Sequence, residues 1–450
     1  MISKRTFLTG MTSSLALSSL ALAPARTKAA TPDTTLIQNV HVFDGHSDSL
    51  SEITNVLIQG ELIHEISPKA DAAPEVPRID GSGRVLMPGL IDMHTHLQWN
   101  QDPYTFMASR PDYVAALTLR ECKATLMRGF TSVRDTGGGI LGTARAVDEG
   151  VFPGPRIQAC NAAIGMTAGH GDFRNRSIKP RAFGGPEMTE MELHGITIIA
   201  DGVAEVLTAV RDQFRQGAHF IKVFSGGAVS GIYDPLDINE YSKAELEAAA
   251  GEAKRWNTYA ASHAYTDASI RAAIEAGFGS IEHANLITRE TMELLVAKDV
   301  WLSTQTGVFL VDFPKGFSSA QRQRQEMARD GLNNMMLLAK ETGAKIALGG
   351  DLVGGLEPKA AQLGEFAARK EWFSNAEILR QATGLNGELF AMAGPRNPYQ
   401  AGPIGVIQPG AYADILLVNG DPIADISVMS SEDNFDVIMK GGKTYKNTLG

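Results

Sequence analysis

The sequence predicts an α/β protein, a (β/α)8 TIM-like barrel with a small β-sandwich domain built from both chain ends. Three observations carry that expectation. Between about Gly89 and Pro395, eight short apolar runs alternate with helical patterns, the signature of parallel strands joined by crossover helices. Both flanks read instead as short strands punctuated by glycine turns. Histidine, lysine and aspartate recur at the ends of the apolar runs, where a barrel places its chemistry.

Composition sets the frame. The 450 residues carry a net charge of −10, with 44% hydrophobic and 20% charged side chains. These values describe a globular chain able to bury a large core. The acidic balance argues against nucleic acid or an anionic membrane as the main partner. Cys122 and Cys160 are the only cysteines. Disulfides therefore do not define the fold; one bridge between the two is the alternative to their reading as small buried apolar residues, in a helical and a strand-like pattern respectively.

Residues 1–30 have the form of an export signal. Lys4 and Arg5 precede an apolar stretch from Phe7 to Ala23, and small residues follow to Ala30. Ser3 to Leu8 resembles the twin-arginine export motif, with Lys4 in place of its first arginine. The expected location is secreted or periplasmic. The apolar run is short and broken by Thr and Ser, so no stable membrane insertion of the mature chain is expected.

Residues 31–87 contain strand patterns at Leu36–Phe43, Asn55–Gln59, Leu62–Ile66 and Val85–Met87. Residues 399–450 add Asp414–Val418, Val437–Met439 and a Gly441-Gly442 turn. Residues 88–398 hold the eight runs: Leu90–His94, Thr131–Asp135, Arg156–Asn161, Phe220–Phe224, Tyr259–His263, Ser280–His283, Trp301–Thr304 and Lys345–Gly350. Ser242 with Glu245, and Ser374 with Glu377, fit capping boxes at helix starts. Gly277 and Gly343 stand where helices end. A doubly wound open sheet is the weaker alternative, since no glycine-rich dinucleotide fingerprint follows the first strand.

The run Pro88-Gly89-Leu90-Ile91-Asp92-Met93-His94-Thr95-His96 organises the chemistry. Side chains of a strand alternate faces, so His94 and His96 project to one side, as two ligands of one metal ion do. His263, His283, Asp351 and Lys222 lie at or near the ends of other runs. Six such residues converging on one end of a barrel predict a metal site. Lys222 sits among Phe220, Ile221, Val223 and Phe224, where an ammonium group pays a large desolvation penalty. Either it forms a salt bridge to a neighbour such as Asp135, or its neutral amine has reacted with carbon dioxide to a carbamate that bridges two metal ions.

The stretches GLIDMHTHL, TSVRDTGG, FIKVFSGGAVS, ASHAYT, SIEHAN, ALGGD and IGVIQPGAYADILLVNGDP resemble the amidohydrolase superfamily. The likeness is to its imidazolonepropionase-like and Xaa-Pro dipeptidase (prolidase-like) branch, which includes ochratoxin-hydrolysing enzymes. It covers nearly everything after residue 35. The resemblance implies two zinc ions per chain, with His94, His96 and Asp351 on one, His263 and His283 on the other, and carboxylated Lys222 bridging both. It implies Asp351 as the catalytic base. His170 falls near the scissile carbonyl and Tyr233 near a substrate carboxylate. Trp99, Tyr104 and Phe106 follow the first strand and either line an apolar pocket or pack beneath a loop. His194 and His219 fall outside the strand-end pattern. The expected substrate is a small-molecule amide or dipeptide, and the expected assembly a homo-oligomer. Opening of a cyclic amide or lactone, and a non-catalytic binding module, are the rival readings.

Overall fold

The computed structural model describes residues 33–310 and 316–449. The expected export signal lies outside the described residues. Strands β1 (Thr34–Val42), β2 (Thr54–Gln59), β3 (Leu62–Ser67), β4 (Arg78–Asp80) and β5 (Val85–Pro88) come first. The barrel region holds β6 (Leu90–Thr95), β7 (Phe130–Asp135), β8 (Arg156–Ala159), β9 (Ala163–Gly165), β10 (Thr197–Ile199), β11 (Ile221–Phe224), β12 (Ala260–Thr266), β13 (Ser280–Leu286), β14 (Trp301–Gln305) and β15 (Ile346–Gly349). Strands β16 (Ile415–Val418), β17 (Phe435–Lys440) and β18 (Lys443–Asn447) close the chain.

Strands from the two ends share one sheet, in the order β18-β17-β16-β5-β1-β2-β3, with β4 beside β1. The join is β5 against β16, antiparallel, with Pro88 opposite Ile415. Strand β1 serves both halves. Its register against β2 shifts between Ile37 and Val40, and Asn39 there takes a φ of 57°. A bulge bends its strand, so the sheet turns over a core that includes Ile37, Val56, Leu86, Ile415, Leu417 and Val437. Arg156 of β8 ties this sheet to the barrel. It pairs with Asp414 at 2.8 and 3.1 Å and lies 3.8 Å over the Tyr412 ring.

The barrel strands form two parallel groups, β6-β7-β8 and β10-β9-β11-β12-β13-β14-β15, which join at both seams. At one seam the third strand is broken in two. Asn161, at φ 63°, separates β8 from β9; the His219 N–H donates to the Ala159 carbonyl of β8, and Ile164 of β9 pairs with Val223. At the other seam the Asp351 N–H donates to the His94 carbonyl at 2.8 Å. The Asn386 amide, from a flanking helix, donates to both Ile91 and Leu348 carbonyls. The eight expected runs are therefore the eight staves. The break in the third, and β10 as an extra strand outside it, were not foreseen.

Strand alternation divides the packing. Ile221, Val223, Ala260, Ile281 and Leu302 meet helix residues such as Val206, Val210 and Leu246 in the largest cluster. Phe220, Tyr259, Ala261, Trp301 and Ala347 fill the barrel floor with Ile91 and Met93. Each Val, Leu, Ile, Phe or Met side chain among them contributes about 1.5–3 kcal/mol on burial. Both capping boxes form, on Lys243–Arg255 and Asn375–Ala382. Gly277 and Gly343 close their helices at φ 95° and 70°, a conformation glycine adopts without a Cβ clash. Cys122 and Cys160 are free and buried. No described helix is long and apolar enough to cross a membrane.

Candidate active site

Two local distortions aim the histidines. Between β6 and β7 the register shifts, so that Met93 and His94 together span the place of Arg134 alone. After this bulge His94 and His96 both face the interior. His94 Nδ1 donates to the Glu282 carboxylate at 2.9 Å, and His96 Nδ1 donates to the Gly137 carbonyl at 3.0 Å. With those protons placed, both Nε2 atoms carry lone pairs. They point at one Asp351 oxygen, at 3.5 and 3.3 Å. Ligand atoms of His94, His96 and Asp351 all lie within 4.8 Å of one another.

The second distortion is at the end of β13. Glu282 pairs in register with His263 and faces inward with it. Alternation alone would turn His283 outward, but His283 and Ala284 take φ of 75° and 57°. The ring of His283 swings back, with its Nε2 2.9 Å from His263 Nδ1. The remaining ring nitrogens, His263 Nε2 and His283 Nδ1, are buried without a hydrogen-bond partner. Burial, reinforced by neighbouring histidines, holds both well below the usual imidazole range. Burial, then Lys222, brings His94 down to about 4. Neutral imidazoles with free lone pairs suit a divalent metal.

Lys222 is 1% exposed on the inner face of β11. It makes no ion pair among the described residues, so the alternative of a bridge to Asp135 is not realised. Asp135 instead accepts from the N–H groups of Leu97 and Gly137. Burial lowers the Lys222 amine below its ordinary range, while Glu282 and Asp351 act in the opposite direction. Asp351 sits just past β15 at φ 52°. Burial raises its carboxyl, yet His94, His96 and His283 outweigh burial and hold it below the usual range. The group is an anion ready to ligate or accept a proton. Asp92 clamps the same seam, accepting from the N–H groups of His94 and Gly350.

Glu282 was missed from the sequence because its neighbour His283 claimed the inward position. It receives Arg134 at 2.6 and 2.7 Å, and Arg134 also holds the Met93 carbonyl of the β6 bulge. Both charges are fully buried. Glu282→Gln leaves Arg134 uncompensated, and a buried pair broken on one side costs about 3–5 kcal/mol. The expected result in urea or thermal unfolding is a loss of that size, with metal affinity reduced through His94. Pairing keeps the Glu282 carboxyl well below its ordinary 4.5, so its contribution is complete above that pH and is lost only as pH falls toward the folded value.

The loop after β9 brings His170 against this cluster. Its ring stacks on His263 at 4.7 Å, with Nδ1 3.3 Å from the Asp234 carboxylate. Glu240 accepts the His170 backbone N–H at 2.6 Å. Tyr233 lies across the loop, and its hydroxyl donates to the Arg174 carbonyl at 2.6 Å. The Arg176 guanidinium lies 4.8 Å over the Tyr233 ring. Arg174 is bound to Asp172 and Arg181 to Glu205, whereas Arg176 makes no ion pair among the described residues. Trp99 stands beside His96, against Phe173 and Phe106. Phe106 is buried under the loop and Tyr104 is 77% exposed, so of the three expected aromatics Trp99 alone flanks the site. His219 accepts the Ala159 N–H at 2.9 Å and His194 packs on Phe106, both in structural roles.

A closed barrel that gathers four histidines, a lysine and an aspartate at its strand ends is the framework of a metal-dependent hydrolase. The chain belongs to the amidohydrolase family, whose signature spans residues 85–445, and it is an amide-bond hydrolase. The ochratoxinase of Aspergillus niger is 30% identical over 413 residues, covering 87% of this chain and 82% of that one. Its crystal structure superposes with a TM-score of 0.81 at 28% identity, over 93% of this chain and 96% of that one. A prolidase complexed with N-methylphosphonate-L-proline has a TM-score of 0.84 at 32% identity, covering 92% of this chain and all of the other. A Xaa-Pro dipeptidase with bound methionine has a TM-score of 0.79 at 27% identity, with the same coverage.

Proposed function

We propose that this chain is a binuclear zinc amidohydrolase that cleaves an amide bond next to a free carboxylate, in a dipeptide or N-acyl amino acid. The observation that carries the reading is Lys222, buried on the inner face of β11 beside the strand that carries His263, with no ion pair among the described residues. A neutral amine there adds carbon dioxide and loses one proton, giving an anion with two oxygens. His94, His96 and Asp351 would hold one ion and His263 with His283 the other, with the Lys222 carbamate shared. Two zinc ions held by these residues would supply a hydroxide nucleophile near neutral pH and a Lewis acid for the scissile carbonyl.

The chain's own groups do the rest. Asp351 takes the proton of the attacking water and delivers it to the leaving nitrogen, without which an amide does not part. His170, braced by Asp234, faces the carbonyl from the loop side. Arg176 on the Tyr233 ring offers a positive charge to the substrate carboxylate, since the Tyr233 hydroxyl is spent on Arg174. Trp99 and Phe173 form the apolar wall. An aromatic acyl-amino acid or a dipeptide fits this polarity, in line with the ochratoxinase and prolidase relatives. Export through residues 1–30 would place the enzyme outside the cytoplasm.

Arg176→Gln is expected to raise KM for free-acid substrates about tenfold and leave kcat within twofold, a loss near the 1.4 kcal/mol that one such contact carries. Steady-state kinetics on the variant check it. The reading itself is tested by a panel of dipeptides and N-acyl amino acids, their carboxyl-amidated forms, and cyclic amides. Turnover of the free acids, lost on amidation, supports it; turnover confined to cyclic amides contradicts it.

A further inference from the structure

Tyr265 is a polar residue beside the histidine pair and outside the six ligand positions. It follows His263 by two residues on β12, so the same strand face carries both. Its ring stacks on His283 at 4.7 Å and 4°, and meets His263 edge-on at 5.2 Å. Phe309 closes its other side, 6.0 Å away and near perpendicular. The residue is 4% exposed, yet its hydroxyl makes no hydrogen bond among the described residues. A phenol hydroxyl with no protein partner is free to donate to a group that enters the site. The side chain therefore stands against the histidine pair, on the strand face that carries His263.

We infer that Tyr265 is a catalytic residue of the amide hydrolysis proposed above, its hydroxyl donating a hydrogen bond to the scissile carbonyl oxygen as that oxygen becomes anionic. A phenol is protonated near neutral pH and acts here as a donor, giving up no proton. Tyr233, the other tyrosine near the site, cannot serve in this way while its one proton is bound to the Arg174 carbonyl. A neutral donor whose ring is stacked on His283 and flanked edge-on by His263 and Phe309 before substrate arrives needs no reorganisation as charge develops, which is where such donors have their largest effect.

The test uses the zinc-loaded full chain, with Tyr265→Phe keeping the ring stack and removing the hydroxyl. Metal content and melting temperature are expected to match wild type. The value of kcat should fall about 10- to 100-fold with KM within twofold, in the range of a single lost oxyanion donor. Binding is read in parallel by calorimetry with two probes. Affinity for N-methylphosphonate-L-proline, which carries a tetrahedral anion, should fall by a similar factor, while affinity for L-proline, which lacks it, stays within twofold.

Unchanged kcat and unchanged phosphonate affinity would overturn the assignment and leave the ring as packing for His283. So would loss of metal in the Phe variant, or equal weakening of both probes, which would make the hydroxyl a carboxylate contact. Tyr265→Leu, which removes the stack as well, serves as the structural reference: metal loss there with metal kept in the Phe variant separates ring from hydroxyl. A wild-type enzyme that neither hydrolyses the free acids nor binds the phosphonate fails at the level of the proposed function, and takes this inference with it.

Discussion

Asp351→Asn is expected to abolish turnover, by at least about 10³-fold, while the protein keeps its fold and most of its metal. A single positioned proton acceptor accounts for about 10²–10⁴ in rate, and Asp351 is the carboxylate onto which both His94 and His96 converge. Asparagine preserves the shape and one ligating oxygen but accepts no proton. The backbone is held independently, by the Asp351 N–H on the His94 carbonyl and by Asp92 on the preceding residue. The left-handed φ of 52° is tolerated by Asn as well as by Asp. Structure should therefore survive and chemistry should not. Kinetics and elemental analysis on the same preparation decide it: near wild-type turnover would remove Asp351 as the base.

Lys222→Ala is expected to lower bound zinc from the proposed two per chain to about one and to cut turnover severely, since the metal-activated water nucleophile loses its bridged site. The substitution removes the only nitrogen on the inner face of β11 that can become a bridging anion. It also opens space between Phe224 and the floor residue Phe220. Short carboxylates such as acetate should enter that space and restore part of both zinc and activity, because they supply the same two oxygens. A mere salt-bridge lysine predicts the opposite pattern: destabilisation, unchanged zinc and no rescue. ¹³C-labelled bicarbonate gives a carbamate carbon signal in the wild type and none in the variant.

Much of this arrangement was legible in the residues, for identifiable reasons. Barrel staves announce themselves by alternating with capped helices, and Ser242, Ser374, Gly277 and Gly343 each mark a helix end that exists. The seven stretches that resemble one family, GLIDMHTHL among them, brought that family into view, and residues 85–445 belong to it. What escaped were features that depend on breaking the strand period. Glu282 and His283 are adjacent, and a period of two assigns them to opposite faces. Only the left-handed turn at His283 and Ala284 brings both inward. The split of the third strand at Asn161 and the bulge at Met93 and His94 are the same kind of event. Tyr265 is different: it obeys the period, two residues after His263, and was readable by the logic that selected His94 and His96. Tyr233 shows the limit on the polar side, since nothing in its sequence context announces that its hydroxyl donates to the Arg174 carbonyl.

Metal per polypeptide is the most direct measurement of the proposed two-ion centre bridged by a carboxylated Lys222. The protein, purified without chelator and equilibrated with zinc and bicarbonate, should carry two zinc ions per chain by elemental analysis. A reproducible value of one, unchanged by bicarbonate, would contradict the bridged centre and leave His94, His96 and Asp351 as a mononuclear site.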